Sequence, residues 1–454
     1  MSPSSLIMIN PWIHDFAAYD FWSKPLGLLY LAGYLRHYGF NIHLIDCLDR
    51  HHPRMIEEKS MKPPVRRSYG TGKFWRQKIP TPQPIADIKI KRIYSRYGLS
   101  KKVFEEELNA VQKPAAILVT SLMTYWYPGV MEVINLSRKI HPDVPIILGG
   151  IYATLCHEHA QQKSGADHVI NDKNPAAVLR TLNNYGINAP ANPSMSPGVM
   201  PYPAFDLLHS TDYICLLTSI GCPYRCQYCA SHFLNPVAQK RNPHEILEEV
   251  LFWHRELGVQ DFVFYDDALL VSSDTHFSIF LENLIKVGKE LRFHTPNALH
   301  IREITKDIAT LMYRTGFKTI RLGLETSDID AHRILDGKLS PGEFEAAVHN
   351  LLEAGFNSKE IGAYIMIGLP GQPIDSVHKT IDLAADVGAS PFLVEYSPIP
   401  HTSLWAKAVE YSNYDLAGEP LFHNNTLLPC WDDSQKKEIP ILKKHALEVR
   451  ERYR

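Results

Sequence analysis

The chain lacks the features that place a protein in a membrane or outside the cell. No run of about 18 apolar residues occurs, so the sequence predicts no transmembrane helix. The first ten residues lack the basic start of a signal peptide and are typical of a first strand. Seven cysteines, three of them clustered, do not make a disulfide framework.

A dominant charge of one sign is also missing. The 47 Lys and Arg residues nearly balance 49 Asp and Glu residues, which leaves a formal net charge of −2. Whole-chain charge therefore favours neither nucleic acid nor an anionic membrane as a partner. With 454 residues, 45% hydrophobic and 21% charged, the composition is that of a globular protein long enough for two domains.

The most informative positive feature is a cluster of three cysteines. Cys222, Cys226 and Cys229 have the spacing C-x3-C-x2-C and follow a strand-like run at 213–219. Thiolates are the usual ligands of iron–sulfur clusters, and electron-transfer clusters are closed by four of them. A 4Fe–4S cluster held by three cysteines keeps one iron open, so the motif predicts a catalytic cluster. Two alternatives are a zinc site completed by a residue such as His232 and three unrelated buried cysteines.

From Tyr213 onward, strand and helix patterns alternate about six times. Six βα units predict a partial β/α barrel with its active site at the carboxyl ends of the strands. The predicted strands cover 213–219, 261–266, 291–295, 318–324, 361–367 and 392–397, and the predicted helices cover 243–257, 274–289, 304–315, 341–354 and 373–388.

The first part of the chain also alternates strands and helices, which predicts a doubly wound parallel sheet. The predicted strands are 6–10, 41–46, 116–120, 145–149 and 166–170, with helices at 25–38 and about 130–140. The fold class is therefore α/β throughout. Ligands of such sheets bind at the carboxyl ends of the strands.

The cysteine spacing, with Tyr228 just before the last Cys, resembles the signature of the radical S-adenosylmethionine (SAM) superfamily. The resemblance implies that the three cysteines hold a 4Fe–4S cluster whose open iron binds the amino and carboxylate groups of SAM. Electron transfer then cleaves SAM to a 5′-deoxyadenosyl radical. The resemblance also gives Tyr228 a place beside the cofactor.

Further residues at the predicted strand ends fit this resemblance. It implies that Glu325, in Gly323-Leu-Glu325, contacts SAM, and that the backbone from Ile365 to Gly368 binds adenine. A surface Glu in a turn is the alternative for Glu325. The Gly-Gly-Glu segment of the family is absent, and Asp266 and Asp267 stand near its place. One of these carboxylates is expected to serve SAM and the other to cap the next segment.

The first part resembles the cobalamin-binding domain that precedes many radical SAM domains. The matching stretches are Lys24–Leu35, Asn41–Asp46 and Leu148–Thr154. The D-x-H-x-x-G motif, whose His coordinates cobalt from below, is absent, and Asn171–Asn174 replaces a Gly-Glu-Gly-Glu-like turn. The resemblance implies bound cobalamin without that His, and a fold that has lost its cofactor is the alternative. Tyr125 and Trp126 are expected to cover the corrin ring or to pack as core.

These patterns divide the chain into segments. A cobalamin-binding-like domain is predicted at 1–185, a Pro-rich linker at 186–209, a radical SAM barrel at 210–404 and a C-terminal extension at 405–454. An insertion at about 50–112 interrupts the first domain. It is either a solvated loop or an ordered flap over the cofactor, because Phe74, Trp75, Tyr94 and Tyr97 are too apolar for a free linker.

Together the resemblances predict a cobalamin-dependent radical SAM methyltransferase acting on an unactivated carbon. One alternative is a radical rearrangement or cyclisation enzyme that transfers no methyl group. Another is a non-enzymatic iron–sulfur electron carrier or sensor. The expected partners are a small-molecule or peptide substrate and an external electron donor such as flavodoxin or ferredoxin, with no nucleic acid indicated. An oxygen-sensitive cluster requires reducing surroundings, so the expected location is the cytoplasm.

Overall fold

The structure is a computed structural model that describes residues 4–58, 61–190 and 201–453. The chain divides into two compact units. Unit 1 runs to Asp212 and includes Glu419–Phe422, and unit 2 comprises Tyr213–Gly418 and the residues from His423 onward. The predicted linker at 186–209 falls before this division, and its stretch 191–200 lies outside the described residues.

Unit 1 is built on a five-stranded parallel sheet of order β10-β9-β8-β1-β4. Counting only these five strands along the chain, the order is 2-1-3-4-5, a doubly wound sheet whose switch point lies between β1 and β8. The apolar run Leu6–Ile9 of β1 is fully buried because helices cover both faces of such a sheet. The strands are β1 (Ser5–Asn10), β2 (Ile13–Asp15), β3 (Tyr19–Asp20), β4 (Asn41–Asp46), β5 (Gly72–Lys73), β6 (Arg76–Lys78), β7 (Ser95–Tyr97), β8 (Ala116–Val119), β9 (Ile146–Leu148) and β10 (His168–Val169). The helices are α1 (Leu26–His37), α2 (Pro53–Glu57), α3 (Gln83–Ala86), α4 (Lys101–Ala110), α5 (Tyr127–Ile140), α6 (Ile151–Leu155), α7 (His157–Lys163) and α8 (Ala176–Asn184).

In its described residues, which exclude 59 and 60, the insertion of unit 1 packs on the loop between β1 and α1. Its strands β6 and β7 form an antiparallel sheet with β2, and β5 pairs with β3. The four aromatic side chains named above, Phe74, Trp75, Tyr94 and Tyr97, are each at most 5% exposed. This packing agrees with an ordered flap rather than a solvated loop, and its placement over a cofactor stays a prediction.

Unit 2 contains a six-stranded parallel sheet of order β11-β14-β15-β16-β17-β18, as the six βα units predict. Each predicted strand is present; the strand at 361–367 has its predicted bounds, and the bounds of the others differ by at most three residues. The strands are β11 (Ile214–Leu216), β12 (Ser219–Ile220), β13 (Gln239–Lys240), β14 (Asp261–Phe264), β15 (Arg292–His294), β16 (Phe317–Glu325), β17 (Ile361–Ile367) and β18 (Ser390–Glu395). The helices are α9 (Ser231–Leu234), α10 (Pro243–Leu257), α11 (Phe277–Val287), α12 (Lys306–Arg314), α13 (Ile329–Leu335), α14 (Glu343–Ala354), α15 (Ile374–Asp386), α16 (Trp405–Tyr411) and α17 (Asp433–Arg452). The predicted α/β fold with two parallel sheets is confirmed.

Most of the C-terminal extension belongs to unit 2, and its residues Glu419–Phe422 belong to unit 1. Its helix α17 begins with a capping box at Asp432 and packs along α15 and the last strand, β18. The Lys443 ammonium lies 2.7 Å from the Glu395 carboxylate, and the Tyr453 hydroxyl donates to the Ala385 carbonyl at 2.7 Å. The extension therefore covers the β18 end of the sheet. None of the helices in the described ranges is long and apolar enough to cross a membrane.

Candidate functional site: a three-cysteine loop and the carboxyl edges of two sheets

The cysteine loop follows the short strand β12, just after the carboxyl end of β11, and ends at α9. Gly221 precedes it with a φ of +80°, a conformation that favours glycine. Within the loop the Cys229 amide donates to the Cys226 carbonyl at 3.1 Å, which turns the chain tightly between the second and third thiols. All seven cysteines of the chain are free, so these three thiols are available as ligands.

The start of the loop is held by Asp266, which follows β14. Its carboxylate accepts hydrogen bonds from the Thr218 amide at 3.0 Å and from the hydroxyls of Thr218 and Ser219, both at 2.6 Å. Burial raises the pKa of Asp266, and these donors act against that rise. The carboxylate thus positions the cysteine loop. The predicted contact of Asp266 with SAM stays a prediction, and the exposed neighbour Asp267 accepts from the Ser231 hydroxyl at 2.5 Å.

The middle of the loop is fixed from two other segments. The Gln227 amide donates to the Leu335 carbonyl at 2.7 Å, and the Gln227 side chain donates to the Ile334 carbonyl at 2.6 Å. The Gln227 carbonyl accepts from the Leu404 amide at 2.9 Å. Backbone contacts on both sides therefore preorganise the loop without using the thiols.

Three cysteine thiols are a donor set of the kind that binds iron–sulfur clusters. Within the described ranges, no three His, Cys, Asp or Glu side chains converge closely enough to hold one metal ion. A 4Fe–4S cluster needs no such convergence, because each thiolate binds a different iron. The same geometry gives no support to a zinc site completed by His232. Burial raises the pKa of all three thiols, that of Cys229 to about 11, so metal binding must displace their protons.

Glu325 ends β16 beside this loop. It is 8% exposed and has a φ of +57°, an uncommon conformation for a non-glycine residue. Its carboxylate accepts from the Tyr228 hydroxyl at 3.2 Å, and the same hydroxyl lies 3.3 Å from the Asp336 carboxylate. Burial raises the pKa of Glu325, and the ammonium of Lys338 opposes this rise. Glu325 is therefore a buried carboxylate tied to the cysteine loop, not a Glu in a surface turn.

The predicted adenine-binding backbone lies next to Glu325. Ile365 of β17 is the cross-strand neighbour of Glu325, at a point where the register between β16 and β17 shifts. Gly368 follows β17 with a φ of +93°, and a Cβ there would approach the Leu428 side chain to 2.6 Å. The structure thus brings Glu325, Tyr228 and the Ile365–Gly368 segment together at one edge of the sheet. Their contacts with SAM stay predictions.

Other polar residues at these strand ends have partners within unit 2. His294 is fully buried between the Thr319 hydroxyl at 2.9 Å and the Asp261 carboxylate at 3.0 Å, which makes it structural. The guanidinium of Arg321 lies 4.6 Å from the centre of the Phe392 ring. His401 stacks on Phe233, the residue four positions after Cys229, with ring centres 4.2 Å apart.

Two residues near the thiols were not found by sequence reasoning. Lys338 interacts with Cys226, Glu325 and Asp336; burial alone would lower its pKa, but the thiol of Cys226 and the carboxylates raise it. His300 Nε2 lies 4.0 Å from the Cys222 sulfur, and burial lowers the His300 pKa to about 3, so the ring is neutral. Neither residue stands in a recognisable motif. The only sequence signal for Lys338 is its position after the short helix that follows Glu325.

In unit 1 the candidate site is the carboxyl edge at the switch point. Tyr125 and Trp126 follow β8 there. Tyr125 is 2% exposed, and the Trp126 indole donates to the Asp15 carboxylate at 2.8 Å and packs against the apolar cluster that contains Ile13 and Phe74. Both aromatic residues therefore lie next to the loop after β1 and next to the insertion. Their predicted contact with a corrin ring stays a prediction.

The same edge offers a surface without side chains. Gly150 has a φ of +96°, and a Cβ there would meet the Ser121 carbonyl at 2.3 Å, so the loops after β8 and β9 touch through glycine backbone. At Gly149 no atom lies within 4 Å of the place of a Cβ. Beside them Leu122 is 47% exposed. An open glycine edge next to an exposed apolar side chain fits a large flat ligand such as a corrin ring.

Comparisons with protein families agree with both resemblances. The Radical SAM superfamily matches residues 216–384, a range that contains the cysteine loop and Glu325. The B12 binding domain family matches residues 97–179, which include Tyr125, Trp126 and the glycine edge.

Curated relatives cover much of the chain at low identity. An uncharacterized methyltransferase of Pyrococcus horikoshii is 24% identical over 327 residues, covering 65% of this chain and 70% of its own length. Cytidylyl-2-hydroxyethylphosphonate methyltransferase of Streptomyces wedmorensis is 19% identical over 483 residues, covering 90% of this chain and 82% of its own length.

Among solved structures, the chain is similar to the radical SAM methyltransferase TsrM of Kitasatospora setae. In the form with cobalamin and a [4Fe-4S] cluster bound, the TM-score is 0.65 at 12% identity, over 98% of this chain and 89% of that one. At this identity the likeness supports the fold alone.

Proposed function

Because this chain is a cobalamin-binding enzyme of the radical SAM superfamily, with a 4Fe–4S cluster, SAM and cobalamin as cofactors, we propose that it methylates an unactivated carbon of its substrate. The observation that carries the proposal is the presence of both domains on one chain, each with a carboxyl edge that fits its cofactor. Two curated relatives that bear the name methyltransferase support the same reaction.

When bound, these cofactors supply a carbon-centred radical at the substrate and a cobalt-carried methyl group to meet it. In unit 2, Cys222, Cys226 and Cys229 would hold the cluster while leaving one iron open. Asp266 and Gln227 position that loop from either side, as described above.

Beside the thiols, Glu325 would receive a polar group of SAM. Its carboxylate is held by the Tyr228 hydroxyl at 3.2 Å and lies near Lys338. Because water is largely excluded from this buried group, its interaction with a cationic or amino group is stronger than at the surface. The backbone from Ile365 to Gly368, adjacent to Glu325, would hold the adenine.

In unit 1, the glycine edge at Gly149 and Gly150 and the exposed Leu122 would receive the corrin ring. Tyr125 and Trp126 would support that edge from within the unit. The sequence has no D-x-H-x-x-G motif, so we propose that cobalamin would bind with no His coordinated from below.

The proposed partners are a small-molecule or peptide substrate and an external electron donor such as flavodoxin or ferredoxin, and the proposed location is the cytoplasm.

The test uses anaerobically reconstituted full-length protein with SAM and a low-potential reductant. Donation of a methyl group leaves S-adenosylhomocysteine, whereas reductive cleavage leaves 5′-deoxyadenosine and methionine. We expect both products, with S-adenosylhomocysteine formed only when cobalamin is bound. Release of 5′-deoxyadenosine alone, with or without cobalamin, would contradict methyl transfer and favour a rearrangement or cyclisation enzyme.

A further inference from the structure

The insertion of unit 1 carries a charge that the whole-chain balance conceals. Residues 61–102 contain twelve Lys and Arg residues and one Asp, a formal charge of +11. The complete chain has a net charge of −2, so the remaining residues together carry −13. A segment with so high a net positive charge produces a local positive potential even when the net charge of the whole chain is slightly negative.

Four of these basic residues lie between positions 67 and 78, one before β5, one on β5 and two on β6. Arg67, Lys73, Arg76 and Lys78 are all exposed, and none of them forms an ion pair with any residue that the structure describes. Some other basic residues of the insertion do form ion pairs, as Lys101 and Arg96 do with Glu132 at 2.5 and 2.9 Å. The charged groups of these four residues can therefore contact solvent or a ligand.

Strand geometry places these cations on a common surface. The strand β6 is the edge of its three-stranded sheet, and Arg76 and Lys78 point to the same face of it because side chains alternate along a strand. Lys73 is the cross-strand partner of Tyr19 in the β3–β5 pair. Only Phe74 and Trp75 separate β5 from β6, so Lys73 lies close to Arg76 along the chain.

Two exposed aromatic rings complete this surface. Tyr19 is 43% exposed and Phe21 is 50% exposed, and their rings stack with centres 5.4 Å apart and planes 21° apart. The Arg67 guanidinium lies 5.8 Å from the centre of the Phe21 ring. Exposed stacked rings beside unpaired cations are unusual in a soluble unit, because both groups gain from a ligand that covers them.

We propose that Tyr19, Phe21, Arg67, Lys73, Arg76 and Lys78 form a basic aromatic surface that binds single-stranded nucleic acid. Flat aromatic rings stack bases, and the flanking cations contact phosphates, which is the combination that sequence-tolerant single-strand binders use. An acidic protein would need the cations but not the stacked rings. A membrane would favour projecting apolar side chains over two rings stacked on each other and flanked by charge.

The first measurement is fluorescence anisotropy of a labelled single-stranded RNA of about 12 nucleotides with the full-length protein, between about 50 and 200 mM salt. Each phosphate contact contributes about −0.7 to the slope of log affinity against log salt. Four contacts predict a slope of about −2.8, or about a 50-fold loss of affinity over this range. Replacing Arg67, Lys73, Arg76 and Lys78 together by Ala should remove most of that slope.

The aromatic contribution is tested separately. The double variant Tyr19→Ala, Phe21→Ala should lose roughly 5-fold to 150-fold in affinity while keeping the salt slope. The matched control replaces Lys286, Lys289 and Lys359, three exposed lysines of unit 2, by Ala and should bind as wild type. If the fourfold variant fails to fold by circular dichroism, Arg76→Gln with Lys78→Gln should reduce the slope by about 1.4.

Three results would overturn the proposal. The first is no binding of the RNA by the wild-type protein at the lowest salt concentration. The second is a salt slope that the basic variants leave unchanged. The third is binding to phosphatidylglycerol vesicles but not to RNA, which would reassign the surface to a membrane. The proposal does not depend on methyl transfer, so its failure leaves the proposed reaction untouched.

Discussion

Replacing Glu325 by Ala should weaken SAM binding while leaving the iron–sulfur cluster in place. The carboxylate is buried, accepts from Tyr228 at 3.2 Å and lies apart from the backbone contacts that hold the cysteine loop. Loss of one charge-assisted hydrogen bond is worth roughly 1.5–3 kcal/mol, or about ten- to a hundred-fold in affinity. Iron and sulfide content should not change.

Two further variants separate a direct contact from a positioning role. Tyr228→Phe removes the hydroxyl that orients the carboxylate but keeps the charge, so it should cost only about 0.5–1.5 kcal/mol, or less than about 13-fold. Glu325→Gln keeps the size and an acceptor oxygen but removes the charge, and should fall between Tyr228→Phe and Glu325→Ala.

The assay is titration with SAM of each reduced protein, followed by the electron paramagnetic resonance signal of the cluster, with 5′-deoxyadenosine counted in parallel. Equal losses in Tyr228→Phe and Glu325→Ala would make Glu325 a residue that acts only together with Tyr228. Wild-type affinity and wild-type 5′-deoxyadenosine formation in Glu325→Ala would refute the contact and leave Glu325 a structural residue.

Three other predictions concern the cluster, the glycine edge and Glu132, whose carboxylate pairs with Arg96 and Lys101 of the insertion. Replacing any one of Cys222, Cys226 or Cys229 by Ala should abolish the 4Fe–4S spectrum and SAM cleavage, whereas replacing Cys47, Cys156, Cys215 or Cys430 should leave the spectrum intact; a full cluster in Cys226→Ala would contradict the assignment. Gly150→Ala should destabilise unit 1 by more than about 1 kcal/mol in thermal unfolding because its φ is +96° and its Cβ would meet a carbonyl at 2.3 Å, while Gly149→Ala should unfold as wild type does yet bind cobalamin less tightly. Glu132→Gln should destabilise unit 1, since this carboxylate is bound by His14, Arg96 and Lys101 at 2.9, 2.9 and 2.5 Å. Burial raises the pKa of Glu132, but the three partners have the larger effect and lower the pKa to about 2. Because the folded-state pKa is depressed, the stabilisation is present above about pH 4.5 and is lost as the pH falls toward 2. Acid unfolding of Glu132→Gln beside the wild-type protein measures this loss.

The strands and helices were largely predictable because their signals are local. The helix α10 spans 243–257 as predicted, since Asn242 caps it, Pro243 occupies its first turn and Gly258 ends it in the left-handed conformation. The strand β11 is shorter than its predicted range of 213–219. The chain leaves the strand where Thr218 turns to donate to the Asp266 carboxylate, a contact between residues 48 positions apart.

The surroundings of the thiols were less predictable, since they depend on side chains that the fold brings together. Spacing alone identified the three cysteines, but Lys338 reaches Cys226 only through the turn after α13, a helix that the sequence reading missed. The structure of the insertion was also only partly predictable from the sequence. Its aromatic content predicted order, yet its pairing with β2 and β3 depends on long-range strand register that no local pattern encodes.

Metal and cofactor analysis of the anaerobically purified full-length protein tests the central claim most directly. The account predicts iron and sulfide in equal amounts, at the content of a 4Fe–4S cluster, and cobalt in a cobalamin whose spectrum shows no protein His ligated from below. Cobalt absent from a protein that still forms its methylated product at full rate would contradict the account.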